Sequence, residues 1–388
     1  MNDGKKKLYI VTLDPFNRGG ILSMMKFVYK SAKDSGFDVQ LVYNSIATLR
    51  GKNQKKTILS EIFDGLKGIA IKRFLPIFEF LNYILNLRAW TKAISYGDIF
   101  FAVGGSNNCA LPLVLLKKNF SIWVATPLLE DRLERIKKSS FLRKIREYFS
   151  LPFLLLLERH IFKKANKILA LSNYTRNKIM EKYKINANKI AVVFFPIDIN
   201  KFYPIEYLQR KNDYLLFTGR FADERKNTAL LLAAFAEVKN QHPGLKLKLI
   251  GDILSDKLSK LLNELNLKES VEIFGGMAND NLVSYYQNAA LFVVPSFQEG
   301  LCISALESLA CGVPVISTRC GGPEDFIKDG YNGYLIENNN KKELCEAILR
   351  FLNFDNSKKK IMSENSKNYI LKNHSSEKIW PKFLECFK

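Results

Sequence analysis

Histidine occurs only three times in this 388-residue chain, and its six cysteines (109, 302, 311, 320, 345 and 386) form no Cys-x-x-Cys pair. Neither a zinc cage nor a disulfide framework is therefore expected, and a reducing cytoplasm is the simplest home for the thiols. No apolar run approaches the roughly 18–20 residues that a membrane-spanning helix needs. The start, Met1-Asn-Asp-Gly-Lys-Lys-Lys-Leu-Tyr-Ile-Val11, runs lysines straight into a strand-like segment, unlike a secretory leader with a cleavage site. With 21 glycines, 12 prolines and 47% hydrophobic residues, collagen-like and disordered readings drop out as well. What remains is an ordinary folded protein long enough for two cores.

Acid is the residue class most unevenly missing. The first 200 residues hold 34 lysines and arginines against 15 acidic residues, a net of +19, whereas 201–388 nets only +2. A compositional bias toward lysine would raise both halves alike. The asymmetry instead points to two domains meeting different partners, with nucleic acid, an anionic membrane or a phosphorylated substrate on the basic side.

Short apolar runs recur along the chain. Leu8–Leu13, Val39–Tyr43, Asp98–Val103, Ser121–Ala125 and Lys167–Leu171 alternate with helical stretches, the first of which opens at Ile21 after a turn over 14–20. A second cycle runs through Tyr214–Thr218, Lys246–Ile250, Val271–Phe274, Leu291–Val294 and Pro314–Ser317. Strand–helix alternation of this kind predicts an α/β protein made of two Rossmann-like, doubly wound domains with a cleft between them. Phe195–Pro204, with two prolines, reads as the linker. The expected domains are 1–197 and 198–372, with a terminal helix over 373–388 packing back on the first.

Two segments carry chemistry. Gly219-Arg-Phe-Ala-Asp-Glu-Arg-Lys-Asn227 follows a strand and precedes a helix, so it sits where α/β sheets bind ligands. Arg220 and Lys226 beside that glycine turn, with the positive end of the next helix, suit a diphosphate; a solvated surface loop is the plain alternative. The other segment is Pro295-Ser-Phe-Gln-Glu299-Gly-Leu-Cys-Ile-Ser-Ala-Leu-Glu307. Its two carboxylates lie eight residues apart, about two helical turns, which predicts one shared face of a helix opening at Gly300-Leu301. Carboxylates accept hydrogen bonds from vicinal hydroxyls of a sugar or ribose, and the Gly300 and Leu301 amides can meet a phosphate.

In its second half the chain resembles the retaining glycosyltransferases of family 4, which have the GT-B fold. The resemblance rests on the two segments above and on Phe274-Gly-Gly276, Tyr285-Tyr-Gln-Asn-Ala-Ala-Leu-Phe-Val-Val-Pro-Ser296, Gly312-Val-Pro-Val-Ile-Ser-Thr318 and Gly321–Leu335, which cover most of 214–336 in order. It is weaker before that, at Gly19-Gly20, Ala165–Ser172 and Pro196–Pro204. It implies a nucleotide-sugar donor, a lipid-linked or saccharide acceptor held by the first domain, and transfer with retained anomeric configuration. Arg220 and Lys226 would hold the donor diphosphate, Glu299 the sugar hydroxyls and Glu307 the ribose. Gly219, Gly300 and Leu301 would border the phosphates, and Gly20 would admit the first domain's loop to them. No divalent metal or other cofactor is implied, and the chain has no Asp-x-Asp pair to hold one.

One position departs from the family. A histidine is common after the fourth strand of the first domain; here Thr126 stands there, followed by Pro127, and the role falls either to Thr126 or to Glu130 or Asp131. His160 lies too far along and reads as structural. Two amphipathic stretches, Arg132–Pro152 with Lys137, Lys138, Arg143 and Lys144, and Lys72–Trp90, suit either a membrane interface or packing on their own domain. The expected activity is glycosyl transfer in cell-surface polysaccharide or glycoconjugate synthesis, on the cytosolic side and possible at an anionic membrane surface. A nucleotide-sugar epimerase of similar fold and a basic nucleic-acid-binding protein are the other readings; the second leaves Glu299 and Glu307 unexplained.

Overall fold

The computed structural model describes residues 5–13, 20–45, 58–63, 65–73, 79–94, 96–104, 106–137, 141–211, 213–221, 223–277 and 279–387. The chain divides into two compact units. One comprises Met1–Glu130, Phe141–Phe194 and Trp380–Lys388; the other comprises Asp131–Ser140 and Phe195–Ile379.

Among the described residues the first unit is built on eight strands: β1 (Lys7–Thr12), β2 (Asp38–Ser45), β3 (Ile58–Phe63), β4 (Leu66–Lys72), β5 (Ile99–Gly104), β6 (Phe120–Val124), β7 (Lys167–Ala170) and β8 (Ile190–Val192). Their order is β3-β4-β2-β1-β5-β6-β7-β8, and every pairing is parallel except the β3–β4 hairpin at the edge. Covered on both faces by helices, β1, β5 and β6 read as continuous apolar runs, which is why they are recognisable in the sequence. The order reverses between β1 and β5, and the Gly20–Asp34 helix begins there. Residues 380–387 complete this core: Phe383 meets Trp123 edge-on at 4.7 Å between centroids, and Trp380 donates from Nε1 to Ser35 Oγ at 2.7 Å.

The second unit has six parallel strands, β9 (Tyr214–Gly219), β10 (Lys246–Gly251), β11 (Val271–Gly275), β12 (Leu291–Val294), β13 (Val315–Thr318) and β14 (Gly333–Ile336), ordered β11-β10-β9-β12-β13-β14. The helix Thr228–Gln241 packs on them through Leu231, Ala234, Phe235 and Val238, all fully buried at i, i+3, i+4 and i+7. Burying a leucine or phenylalanine of this kind stabilises by about 1.5–3 kcal/mol, so this helix anchors the loop that precedes it. Strand order reverses between β9 and β12, which sets the loops leaving those two strands side by side. At the end of β9, Gly219 pairs with Gly251 of β10; a Cβ on Gly251 would stand 1.8 Å from the Gly219 carbonyl oxygen, so only glycine fits.

The expected linker, Phe195–Pro204, opens the second unit's main stretch, Phe195–Ile379. Ile197 is buried and donates its amide to the His374 carbonyl at 2.8 Å, while His374 Nδ1 lies 3.0 Å from the Phe195 carbonyl. Phe202 is buried against the Tyr286 ring at 6.0 Å. The two prolines bracket a segment that buries Ile197 and Phe202 and leaves Tyr203 exposed.

Candidate functional site

The loops after β9 and β12 are joined by buried polar contacts. Asp223 caps the 3₁₀ turn Glu224–Lys226, accepting from the Arg225 amide and from its guanidinium at 3.1 and 2.8 Å. Arg225 is itself buried and reaches across to the Gln298 side-chain oxygen at 3.2 Å; its carbonyl accepts from the Phe297 amide at 2.7 Å. In the sequence Arg225 is one of four consecutive charges, Asp223 to Lys226, and nothing marks it as the buried one. Arg220, by contrast, is 65% exposed and, among the described residues, its side chain pairs with Asp223 at 3.2 Å. It stands free to meet an anion.

Lys226 is not part of an exposed loop. Its ammonium lies 2.6 Å from Glu299 Oε1, and the two side chains are only 15% and 11% exposed. Burial disfavours the ammonium, but the adjacent Glu299 carboxylate outweighs it and raises the Lys226 pKa above the usual lysine value. Ser296 donates to the same carboxylate oxygen at 2.7 Å. The β9–β12 reversal thus brings together two residues 73 positions apart into one preorganised cation–carboxylate pair.

Glu299 does not lie on a helix. Its amide donates to the Cys320 carbonyl at 2.8 Å and its carbonyl accepts from the Gly322 amide at 2.9 Å, a bridge to the turn after β13. The helix begins only at Ile303, capped by Cys302 in a left-handed conformation with φ +69°. The eight-residue spacing therefore does not place Glu299 and Glu307 on one helical face, and the Gly300 and Leu301 amides precede the helix instead of forming its first turn. Close approach explains the difference: a Cβ on Gly322 would come within 2.4 Å of Leu301 Cα and 2.5 Å of the Gly300 carbonyl oxygen. The Gly321-Gly322 turn presses against 300–301, where the backbone bends at Gly300 ahead of the helix. The half-buried Cys302 thiol is pushed up to about 12 by desolvation and then by the neighbouring Glu299, and stays protonated.

Glu307 sits in a second, separate cluster. Tyr286 donates to its Oε2 at 2.9 Å, and the Tyr286 oxygen lies 3.2 Å from Thr218 Oγ1 near the end of β9. Burial pushes the Glu307 carboxyl up to about 7, against the opposing pull of the Tyr286 hydrogen bond and of Lys201. Tyr286 and Thr218 were not apparent from sequence, since a tyrosine in an amphipathic helix and a threonine at a strand end are ordinary core residues.

The first unit's candidates lie at the ends of β1 and β6. Gly20 is exposed as the first residue of its helix; the turn residues 14–19 lie outside the described ones. Thr126 is half-buried, and its carbonyl accepts from Asn107 Nδ2 at 3.4 Å. Glu130 is buried and accepts from the Tyr174 hydroxyl at 2.6 Å, which leaves it less available than Thr126. The Asp131, Lys137 and Arg143 side chains and all of Lys138 lie outside the described residues, while Lys144 and His160 are exposed on the helix Phe141–Lys164. An unanticipated residue, Glu158, is buried and accepts from Asn107 Nδ2 at 2.5 Å, from the Leu128 amide at 3.1 Å and from the Tyr183 hydroxyl. It fixes the segment that carries Thr126. Its position within a leucine-rich run gives no sequence signal for this.

Comparison with known proteins bears on these loops. Residues 199–369 match the family model described as glycosyl transferases group 1. An uncharacterized glycosyltransferase of Methanocaldococcus jannaschii is 34% identical over 221 residues, which cover 55% of this chain and 58% of that one. The N-acetylgalactosamine-N,N'-diacetylbacillosaminyl-diphospho-undecaprenol 4-alpha-N-acetylgalactosaminyltransferase of Campylobacter jejuni is 30% identical over 203 residues, 51% and 54% of the two chains. The chain thus spans about half the length of the curated relatives it matches. The crystal structure of Anabaena HepE in complex with UDP superimposes with a TM-score of 0.74 at 15% identity, covering 98% of each chain, which shows the shared GT-B fold. Residues 199–369, in the second unit, are thus similar to the glycosyl transferases group 1 family.

Proposed function

We propose that this protein is a retaining glycosyltransferase that moves a hexosyl-type sugar from a nucleotide-sugar donor to a lipid-linked or saccharide acceptor. The observation that carries this reading is the buried Lys226–Glu299 pair at the strand-order reversal of the second unit, with exposed Arg220 beside it. Breaking a glycosyl–phosphate bond leaves positive charge on the sugar and additional negative charge on the diphosphate. A lysine already fixed at 2.6 Å from a carboxylate needs no reorganisation to meet that charge with its remaining N–H groups. Arg220 adds a second cation that can swing onto the phosphates, as its exposure permits. The second oxygen of Glu299 accepts hydroxyls of the donor sugar, and Glu307, backed by Tyr286, accepts those of the ribose. Gly219 leaves room for the phosphates, and the Gly300 and Leu301 backbone, ahead of the helix, borders them. No metal enters this scheme.

On the acceptor side the reading assigns Thr126, held through Asn107 and Glu158, to the substrate, and it keeps Gly20 as a donor-binding residue. A UDP-bound structural neighbour supports a nucleotide donor, and a relative whose name specifies a diphospho-undecaprenol acceptor supports a lipid-linked one. Such an acceptor would keep the enzyme on the cytosolic face of a membrane, in surface polysaccharide or glycoconjugate synthesis. No helix among the described residues is long and apolar enough to cross the bilayer. A thermal-shift panel of UDP-, GDP- and ADP-sugars tests the donor, because a ligand present at 100 times its Kd stabilises the folded state by about 2.7 kcal/mol. Product analysis from a labelled donor then separates transfer with retention from epimerisation. No shift with any nucleotide sugar would overturn the proposal.

A further inference from the structure

The helix Phe141–Lys164 faces solvent with its apolar side. Ile145, Tyr148, Phe149, Phe153 and Leu156 recur at intervals of three and four, so they line one stripe, and Tyr148, Phe149 and Leu156 are 78%, 76% and 65% exposed. The opposite side, with Leu154, Glu158, Ile161 and Phe162, is buried. Phe153 touches the Phe80 ring at 5.0 Å, and the helix Glu79–Leu85 carrying Phe80 exposes Ile84 and Leu85 in its last turn. The two amphipathic stretches therefore combine into one apolar surface on the first unit instead of both closing on its core. Scattered exposed leucines need no explanation, but contiguous aromatics at helical spacing mark a contact surface.

Charge selects the partner. The helix carries two carboxylates, Glu147 and Glu158, and both are turned inward and buried. Lys144, Lys163 and Lys164 on the same helix are exposed, as is Arg88 of the neighbouring Leu87–Ala93 helix. The surrounding 200 residues net +19. A second copy of the chain would bring like charges together at this face; a bilayer rich in anionic headgroups matches it, since each lysine or arginine near such a surface contributes about 1 kcal/mol. Pro152 stands in the stripe and has no N–H to donate to the Tyr148 carbonyl one turn earlier.

We infer that the exposed stripe of the Phe141–Lys164 helix, with Ile84 and Leu85 beside it, docks this protein on an anionic lipid surface. The inference builds on the proposed lipid-linked acceptor, but its test does not depend on turnover. Full-length protein is sedimented with vesicles of phosphatidylcholine alone or containing about 30 mol% phosphatidylglycerol. Binding to the anionic vesicles is expected, with at least about a tenfold weaker partition on neutral ones and for Tyr148→Ser/Phe149→Ser. Both substituted residues are exposed, so the melting temperature and the nucleotide-sugar thermal shift should stay as in the wild type. Loss of that shift in both proteins would count against the glycosyltransferase reading, not against docking. Equal partition on neutral and anionic vesicles, or wild-type binding by the double variant, would overturn the inference. So would a wild-type dimer that the double variant converts to monomer, which would make the stripe a protein interface.

Discussion

Replacing Glu307 by glutamine tests the ribose assignment through pH. The carboxyl has been pushed up to about 7 by burial, so about a tenth is ionised at pH 6, half at pH 7 and nine tenths at pH 8. A hydroxyl-donating ribose favours the ionised form. Nucleotide-sugar affinity should then rise about fivefold from pH 6 to 7 and about twofold from 7 to 8, with about half a proton released on binding at pH 7. The best ligand of the thermal-shift panel serves as probe, because its diphosphate diester does not titrate here, whereas a free nucleotide's terminal phosphate does. Titration calorimetry in buffers of different ionisation enthalpy reads both quantities. Glu307→Gln should bind more weakly, with no pH dependence and no proton release. Stability moves the opposite way. A carboxyl whose folded pKa lies above its ordinary 4.5 loses stability as pH rises from about 4.5 to 7, so the glutamine variant should gain up to about 3 kcal/mol at pH 8 and nothing at pH 4. Wild-type affinity that is flat across this range, or a glutamine variant that keeps the slope, would refute the assignment of Glu307 to the ribose.

Three further outcomes follow from the geometry. Arg220→Ala and Lys226→Ala should each lower kcat/KM by roughly two to three orders of magnitude, as for loss of a preorganised charge donor. Only Lys226→Ala should also lower stability, by about 3 kcal/mol, because it strands a buried Glu299; adding Glu299→Gln should recover most of that loss in chemical denaturation. Glu299→Ala should leave free-nucleotide binding by calorimetry nearly intact while losing discrimination among sugars, and the reverse pattern would show that Glu299 and Glu307 have exchanged roles. Gly251→Ala should destabilise by several kcal/mol and weaken nucleotide binding, since the added methyl collides with the Gly219 carbonyl; a normal melting curve would show that β9 and β10 can part without cost.

Much of the fold was written locally. Strands covered on both faces are continuously apolar, so β1, β2, β5, β6, β7, β9, β12 and β13 announce themselves as short hydrophobic runs between helices, while β10 and β11 keep apolar residues at alternate positions. The pieces β3, β4, β8 and β14 do not, because β8 and β14 are short and β3 and β4 mix lysine, glycine, serine and glutamate among their apolar residues. The glycine-flanked cation loop and the Glu299–Glu307 spacing were also visible as residues in order. Which of those residues meet was decided by strand order. The reversal between β9 and β12 brings Lys226 to Glu299 and Thr218 to Tyr286, and no local pattern encodes a neighbour some 70 residues away. Tertiary packing also overruled the helical-face argument, because the glycine turn at 321–322 crowds 300–301 and delays the helix to Ile303. It likewise separated Arg225, buried as a strut, from Arg220, left in solvent, although both sit in the same charged run. Sequence determines which groups are available and where the chain can turn; burial and proximity, which set pKa and pairing, exist only once the sheet is assembled.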